Sequence, residues 1–111
     1  MRPSVCIDFD GTIVDHCFPD IGPMKEGVRE ALNKLHETHD IIICSSRNRF
    51  GDNYVEEMED FMIENDLPYD EIDRGNGKPH ADAYIDDKGI RFTNWKEVIK
   101  QFEELISFGS I

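Results

Sequence analysis

Two carboxylates one residue apart, Asp8 and Asp10, close the stretch Val5-Cys6-Ile7-Asp8-Phe9-Asp10-Gly11-Thr12. Val5, Cys6 and Ile7 have the length and character of a short buried strand, and Gly11 breaks the pattern. Open α/β sheets bind ligands at strand ends, which is where these acids fall. Asp10-Gly11 is also an ordinary turn signal, but a turn gives no reason for Asp8, a charge at the edge of a core. Two more apolar runs end in polar groups: Ile41-Ile42-Ile43-Cys44 leads to Ser45, and Ala83-Tyr84-Ile85 leads to Asp86-Asp87. On a parallel sheet these ends share one edge, and four converging carboxylates repel one another unless a cation sits among them. Oxygen-only donors, with no His or Cys beside them, suit Mg²⁺ rather than zinc. Lys78 adds a positive charge and Ser45 a hydroxyl donor, which together suit a tetrahedral anion such as phosphate.

The elements that must position these groups alternate along the chain. Gly22-Pro23 opens a helix with Pro at the first helical position, and Met24, Val28, Ala31, Leu32 and Leu35 form its apolar face. The run at 41–44 is continuous rather than alternating, as expected of a strand covered on both faces. A second helix starts near Asn53, which can cap it with Glu56, and carries Tyr54, Val55, Met58, Phe61 and Met62 inward. Residues 69–73 are a candidate short strand, and 83–85 a buried one. A last helix begins after Asn94, with Glu97 three residues on, and is expected to bury Trp95, Val98, Ile99, Phe102, Leu105 and Ile106. Strands alternating with helices predict one domain over residues 1–111, built on a mostly parallel sheet with helices on both faces.

Composition narrows the function classes. A net charge of −12 disfavours a basic groove for nucleic acid or attraction to anionic lipid. Three cysteines, an odd number without zinc-like spacing, read as reduced thiols in a cytoplasmic protein, with Cys6 and Cys44 as small core residues and Cys17 in a loop. Residues 1–4 lead straight into the first strand, so no signal peptide is expected, and the longest apolar run is far too short to span a membrane.

Competing motifs fail on spacing. Gly77-Lys78 is followed by Pro79, and no Gly lies five residues before Gly77, so it is not a nucleotide-binding phosphate loop. The Asp8 stretch has Ile13 where a calcium loop needs Gly. A response-regulator receiver has its acids first and its Lys last, whereas Lys78 precedes the Asp86-Asp87 pair.

Asp8-Phe9-Asp10-Gly11-Thr12-Ile13 resembles the first motif of the haloacid dehalogenase superfamily of phosphohydrolases. The run ending in Ser45 is similar to its second motif, Lys78 to its third, and Tyr84-Ile85-Asp86-Asp87 to its fourth, in the family's order. The resemblance implies a three-layer, Rossmann-like sandwich. It also implies an aspartyl-phosphate mechanism with Asp8 as nucleophile and Asp10 as general acid and base. Ser45, Lys78 and the Gly11 backbone would hold phosphate. Asp8, Asp10 through its carbonyl, Asp86 and Asp87 would hold Mg²⁺. Neither interval in which the family inserts a specificity cap has room for one, which resembles the capless class. Arg47, two residues after Ser45, and His16 are candidate substrate contacts; a surface arginine pairing with acids explains Arg47 equally well. The implied activity is hydrolysis of a small phosphorylated metabolite, sugar or nucleotide. The alternatives are a polynucleotide end phosphatase and a non-catalytic member of the same fold.

Overall fold

The computed structural model describes residues 2–75, 77 and 79–107, with the side chains of 106 and 107 excepted. Lys78 lies outside the described residues. Strand β1 (Ser4–Asp8) is followed by α1 (Val28–His36), β2 (Asp40–Cys44), a 3₁₀ turn (Ser46–Arg49), α2 (Asp52–Glu64), β3 (Glu71–Ile72), β4 (Ala83–Ile85) and α3 (Trp95–Ser107). The four strands form one sheet in the order β3-β2-β1-β4, and every pairing is parallel. Among the described residues the product is a small α/β domain with a four-stranded parallel sheet and three α-helices. No helix among the described residues is long and apolar enough to cross a membrane.

Alternation along the strands decides what is buried where. Val5 and Ile7 of β1, with Ile41 and Ile43 of β2, join Val28 and Leu32 of α1 and Val55, Met58 and Met62 of α2 in one cluster. Both crossover helices therefore cover the same face of the sheet. Cys6 and Ile42, the residues in between, point to the other face. Each fully buried side chain of this size contributes roughly 1.5–3 kcal/mol, so this cluster is the main stabilising feature of the domain.

Several expectations are corrected. The chain at Gly22-Pro23 is extended rather than the start of a helix, because Val14 bridges Met24 and the amide of Asp15 donates to the carbonyl of Pro23. Helix α1 starts only after Gly27, whose φ of +84° turns the chain into it. Asn53 lies inside α2, not at its cap; Gly51 precedes the helix and no side chain caps it. Strand β4, expected to be buried, is exposed along its length at one edge of the sheet. The start of α3 is as expected, with Asn94 Oδ1 accepting the amide of Glu97 at 2.9 Å. Its apolar stripe, however, faces solvent: Trp95 is 71% exposed, and Ile99, Phe102 and Leu105 are exposed as well. The side chain of Ile106 lies outside the described residues.

Candidate active site

The register of the strands builds the site. Asp8 pairs with Cys44 and Ile7 with Ile85, so Asp8, Ser45 and Asp86 are neighbours at one edge of the sheet. They line an open cleft of about 600 Å³ together with Asn48, Arg49 and Tyr84. Burial pushes the Asp8 carboxyl up to about 6, a backbone hydrogen bond with Phe9 opposes the shift, and the nearby carboxylates of Asp87, Asp10 and Asp86 add to it. The four acids singled out in the sequence thus converge closely enough to feel one another.

The loop after β1 is wound around the carbonyl of Phe9, which accepts the amides of Thr12, Ile13 and Val14 at 3.2, 2.9 and 3.2 Å. Gly11 makes this turn with φ +90°. Residues 15–22 then fold back over the end of β1. There His16 Nε2 lies 2.9 Å from Asp87 Oδ2, and this hydrogen bond is the main cause holding the Asp87 carboxyl below its usual range. His16, a candidate substrate contact, is thus engaged with Asp87.

Arg47 is also not a surface residue. It is 1% exposed, and its Nε and Nη2 donate to the two carboxylate oxygens of Asp10 at 2.8 and 2.9 Å. A cation this deeply buried needs such a partner. Arg47, the other candidate substrate contact, thus has its guanidinium engaged inside the protein. Ser45 caps the 3₁₀ turn, its Oγ accepting the Arg47 amide at 3.1 Å, and its hydroxyl makes a long contact of 3.5 Å with Asp10 Oδ2.

Among the described residues no group of three or more His, Cys, Asp or Glu side chains is gathered as metal ligands. Three of the four acids have other partners. Asp10 is held by Arg47 and Asp87 by His16, while Asp86 curls onto the amides of Lys88 and Gly89 in its own turn. The four acids offer oxygen donors alone, the kind that Mg²⁺ takes.

The reading of reduced thiols is corrected too. Cys6 and Cys44 are joined in a disulfide between β1 and β2, and both border the cleft; Cys17 is the free, exposed cysteine. Three links went unseen in the sequence: the disulfide, the Arg47–Asp10 pair and the His16–Asp87 bond. Each joins residues 37 or more positions apart, and no local spacing announces them.

The fold has a solved counterpart. A structure of a conserved protein from Bacteroides thetaiotaomicron is similar over 94% of this chain and 92% of that one, with 26% identity and a TM-score of 0.69. The sequence matches no family model and no curated protein.

Proposed function

We propose that this chain is a Mg²⁺-dependent phosphomonoesterase, a small capless member of the haloacid dehalogenase superfamily with that superfamily's three-layer fold, acting through a phosphorylated Asp8. The observation that carries the reading is the place of Asp8. It ends an inner strand in an open cleft between Ser45 and Asp86, with its carboxyl raised to about 6 by burial and by three neighbouring acids.

A carboxylate oxygen of Asp8 attacks phosphorus and displaces the leaving oxygen, which takes a proton from Asp10. Water then attacks the phosphorus of phosphorylated Asp8, giving a proton to Asp10; the bond from phosphorus to the Asp8 oxygen breaks, releasing inorganic phosphate and restoring the free carboxylate. Ser45 Oγ accepts the Arg47 amide, and its O–H, held only by the 3.5 Å contact with Asp10 Oδ2, would turn to a phosphoryl oxygen. Lys78 supplies the positive charge that balances Asp8 and phosphate. Asp8, the carbonyl of Asp10 and Asp86 would hold Mg²⁺, with Asp87 acting directly or through water. Asp86 and Asp87 are exposed, so turning toward a cation costs them little packing. Bound there, Mg²⁺ would neutralise charge on the phosphoryl oxygens and on Asp8.

The test is phosphate release from para-nitrophenyl phosphate and from a panel of sugar phosphates, nucleotides and 3′- or 5′-phosphorylated oligonucleotides. Turnover should require Mg²⁺, vanish in Asp8→Asn and fall by about 10²–10⁴-fold in Asp10→Asn. Release from the oligonucleotides alone would favour the polynucleotide end phosphatase. No release from any of them would end the phosphatase reading and leave the non-catalytic one.

A further inference from the structure

We infer that Arg47 is a positioning residue that sets the Asp10 carboxylate and the loop of residues 15–22 as one unit, and that it makes no contact with substrate. The part concerning catalysis rests on the acid–base role proposed for Asp10.

A single guanidinium serves both partners. Nε and Nη2 grip the two oxygens of Asp10, while Nη2 also donates to the carbonyl of Asp20 at 2.8 Å and Nη1 to that of Pro19 at 3.4 Å. The planar group is held from the sides by two rings, its central carbon 5.6 Å from the centroid of Phe9 and 5.0 Å from that of Phe18. Phe9 immediately precedes Asp10, and Phe18 belongs to the loop. The hydrogen bonds and ring contacts of the guanidinium therefore fall on the Asp10 segment and on residues 18–20. A bidentate pair fixes a carboxylate in angle as well as in distance, which a single hydrogen bond does not. If the loop moves, the guanidinium must move with it, and Asp10 loses its fixed orientation. The backbone reinforces the link at the other end, where the Arg47 amide donates to the capping oxygen of Ser45. One residue thereby joins the end of β2, the acid after β1 and the loop that folds over both.

The experiment compares wild type, Arg47→Lys, Arg47→Met and Phe18→Ala. Phe18→Ala removes one flanking ring and leaves every polar partner in place, so it serves where Arg47→Met fails to fold. Steady-state kinetics with para-nitrophenyl phosphate should show kcat reduced by about 10²-fold in Arg47→Met, with KM within about twofold. Arg47→Lys should recover part of the loss, because it restores the charge without the fork. Amide hydrogen exchange of residues 15–22 should quicken in both Arg47 variants and in Phe18→Ala, with residues 30–36 of α1 unchanged. A raised KM with intact kcat would show substrate contact and overturn the inference. Unchanged loop exchange in the Arg47 variants would overturn it as well. If wild type hydrolyses no phosphomonoester, the proposed function fails alone, and loop exchange still decides whether Arg47 couples the two segments.

Discussion

His16 Nε2 meets Asp87 Oδ2 at 2.9 Å directly over the backbone of Gly11. This contact ties the loop after β1 to the turn after β4, and it uses the space that any side chain at position 11 would fill. Gly11→Ala should therefore incur two costs: the strain of a Cβ at φ +90° and the separation of His16 from Asp87. Gly27→Ala is the matched control, since Gly27 has φ +84° but nothing within 4 Å of its would-be Cβ. The control should lose about 1–2 kcal/mol in urea denaturation from backbone strain alone. Gly11→Ala should lose more. Equal losses would mean that the His16–Asp87 bridge yields without resistance.

The disulfide makes a prediction about thiols and stability. In native protein one cysteine, Cys17, should react with a thiol reagent, and all three should react after reduction and unfolding. The Cys6–Cys44 link has a sequence separation of 38, so breaking it should cost about 2–4 kcal/mol by freeing the unfolded chain. Chemical denaturation with and without a phosphine reductant measures this. Three reactive thiols in the untreated native protein would contradict the link.

The raised carboxyl of Asp8 should appear in stability against pH. An unfolded Asp titrates near 3.8 and the folded Asp8 near 6, so across that window the native state keeps a proton that the unfolded chain has lost. Stability carried by this group is full at low pH and declines as pH rises through 6. Asp8→Asn cannot titrate. In metal-free buffer its melting temperature should gain on wild type from about pH 4 to 6 and hold that lead above. A lead that shrinks with rising pH would mean that the environment favours the carboxylate.

Mg²⁺ should act through the same charges. Binding to the native state alone, at ~100 times its dissociation constant, stabilises by roughly 2.7 kcal/mol. At about 4–8 °C per kcal/mol for a domain of this size, the melting temperature should rise by roughly ten degrees or more. Asp86→Ala should lose most of that response, and the surface change Glu57→Ala should keep it. Identical shifts in wild type and Asp86→Ala would assign the cation to the general acidic surface.

The parts legible in the sequence were those carried by local pattern. The apolar runs of β1 and β2 and the polar groups that end them sufficed to place Asp8, Ser45 and Asp86 on one edge, because a parallel sheet aligns strand ends. Asn94 and Glu97 marked the start of α3 through a cap that needs only neighbouring residues. Pro23 misled because its fixed φ suits an extended segment as well as a first helical turn, and the pairing of Val14 with Met24 decided for the former. The periodicity of α3 showed which side is apolar, not what that side meets. Arg47 and Cys44 took their roles from Asp10 and Cys6 through the register of β1 on β2, which no spacing along the chain contains.

Trp95 is the chain's single tryptophan, and it stands at the head of α3, exposed and in edge contact with Phe92. The intrinsic fluorescence of the protein thus comes from the element least engaged with the sheet. Its emission should already be red-shifted in the native state and change little when the β1–β2 core comes apart. Far-ultraviolet circular dichroism, dominated by helices and strands throughout the fold, would register that event. Unfolding followed by the two signals should give curves that do not superimpose, and a single-transition analysis of the fluorescence would report the wrong part of the molecule.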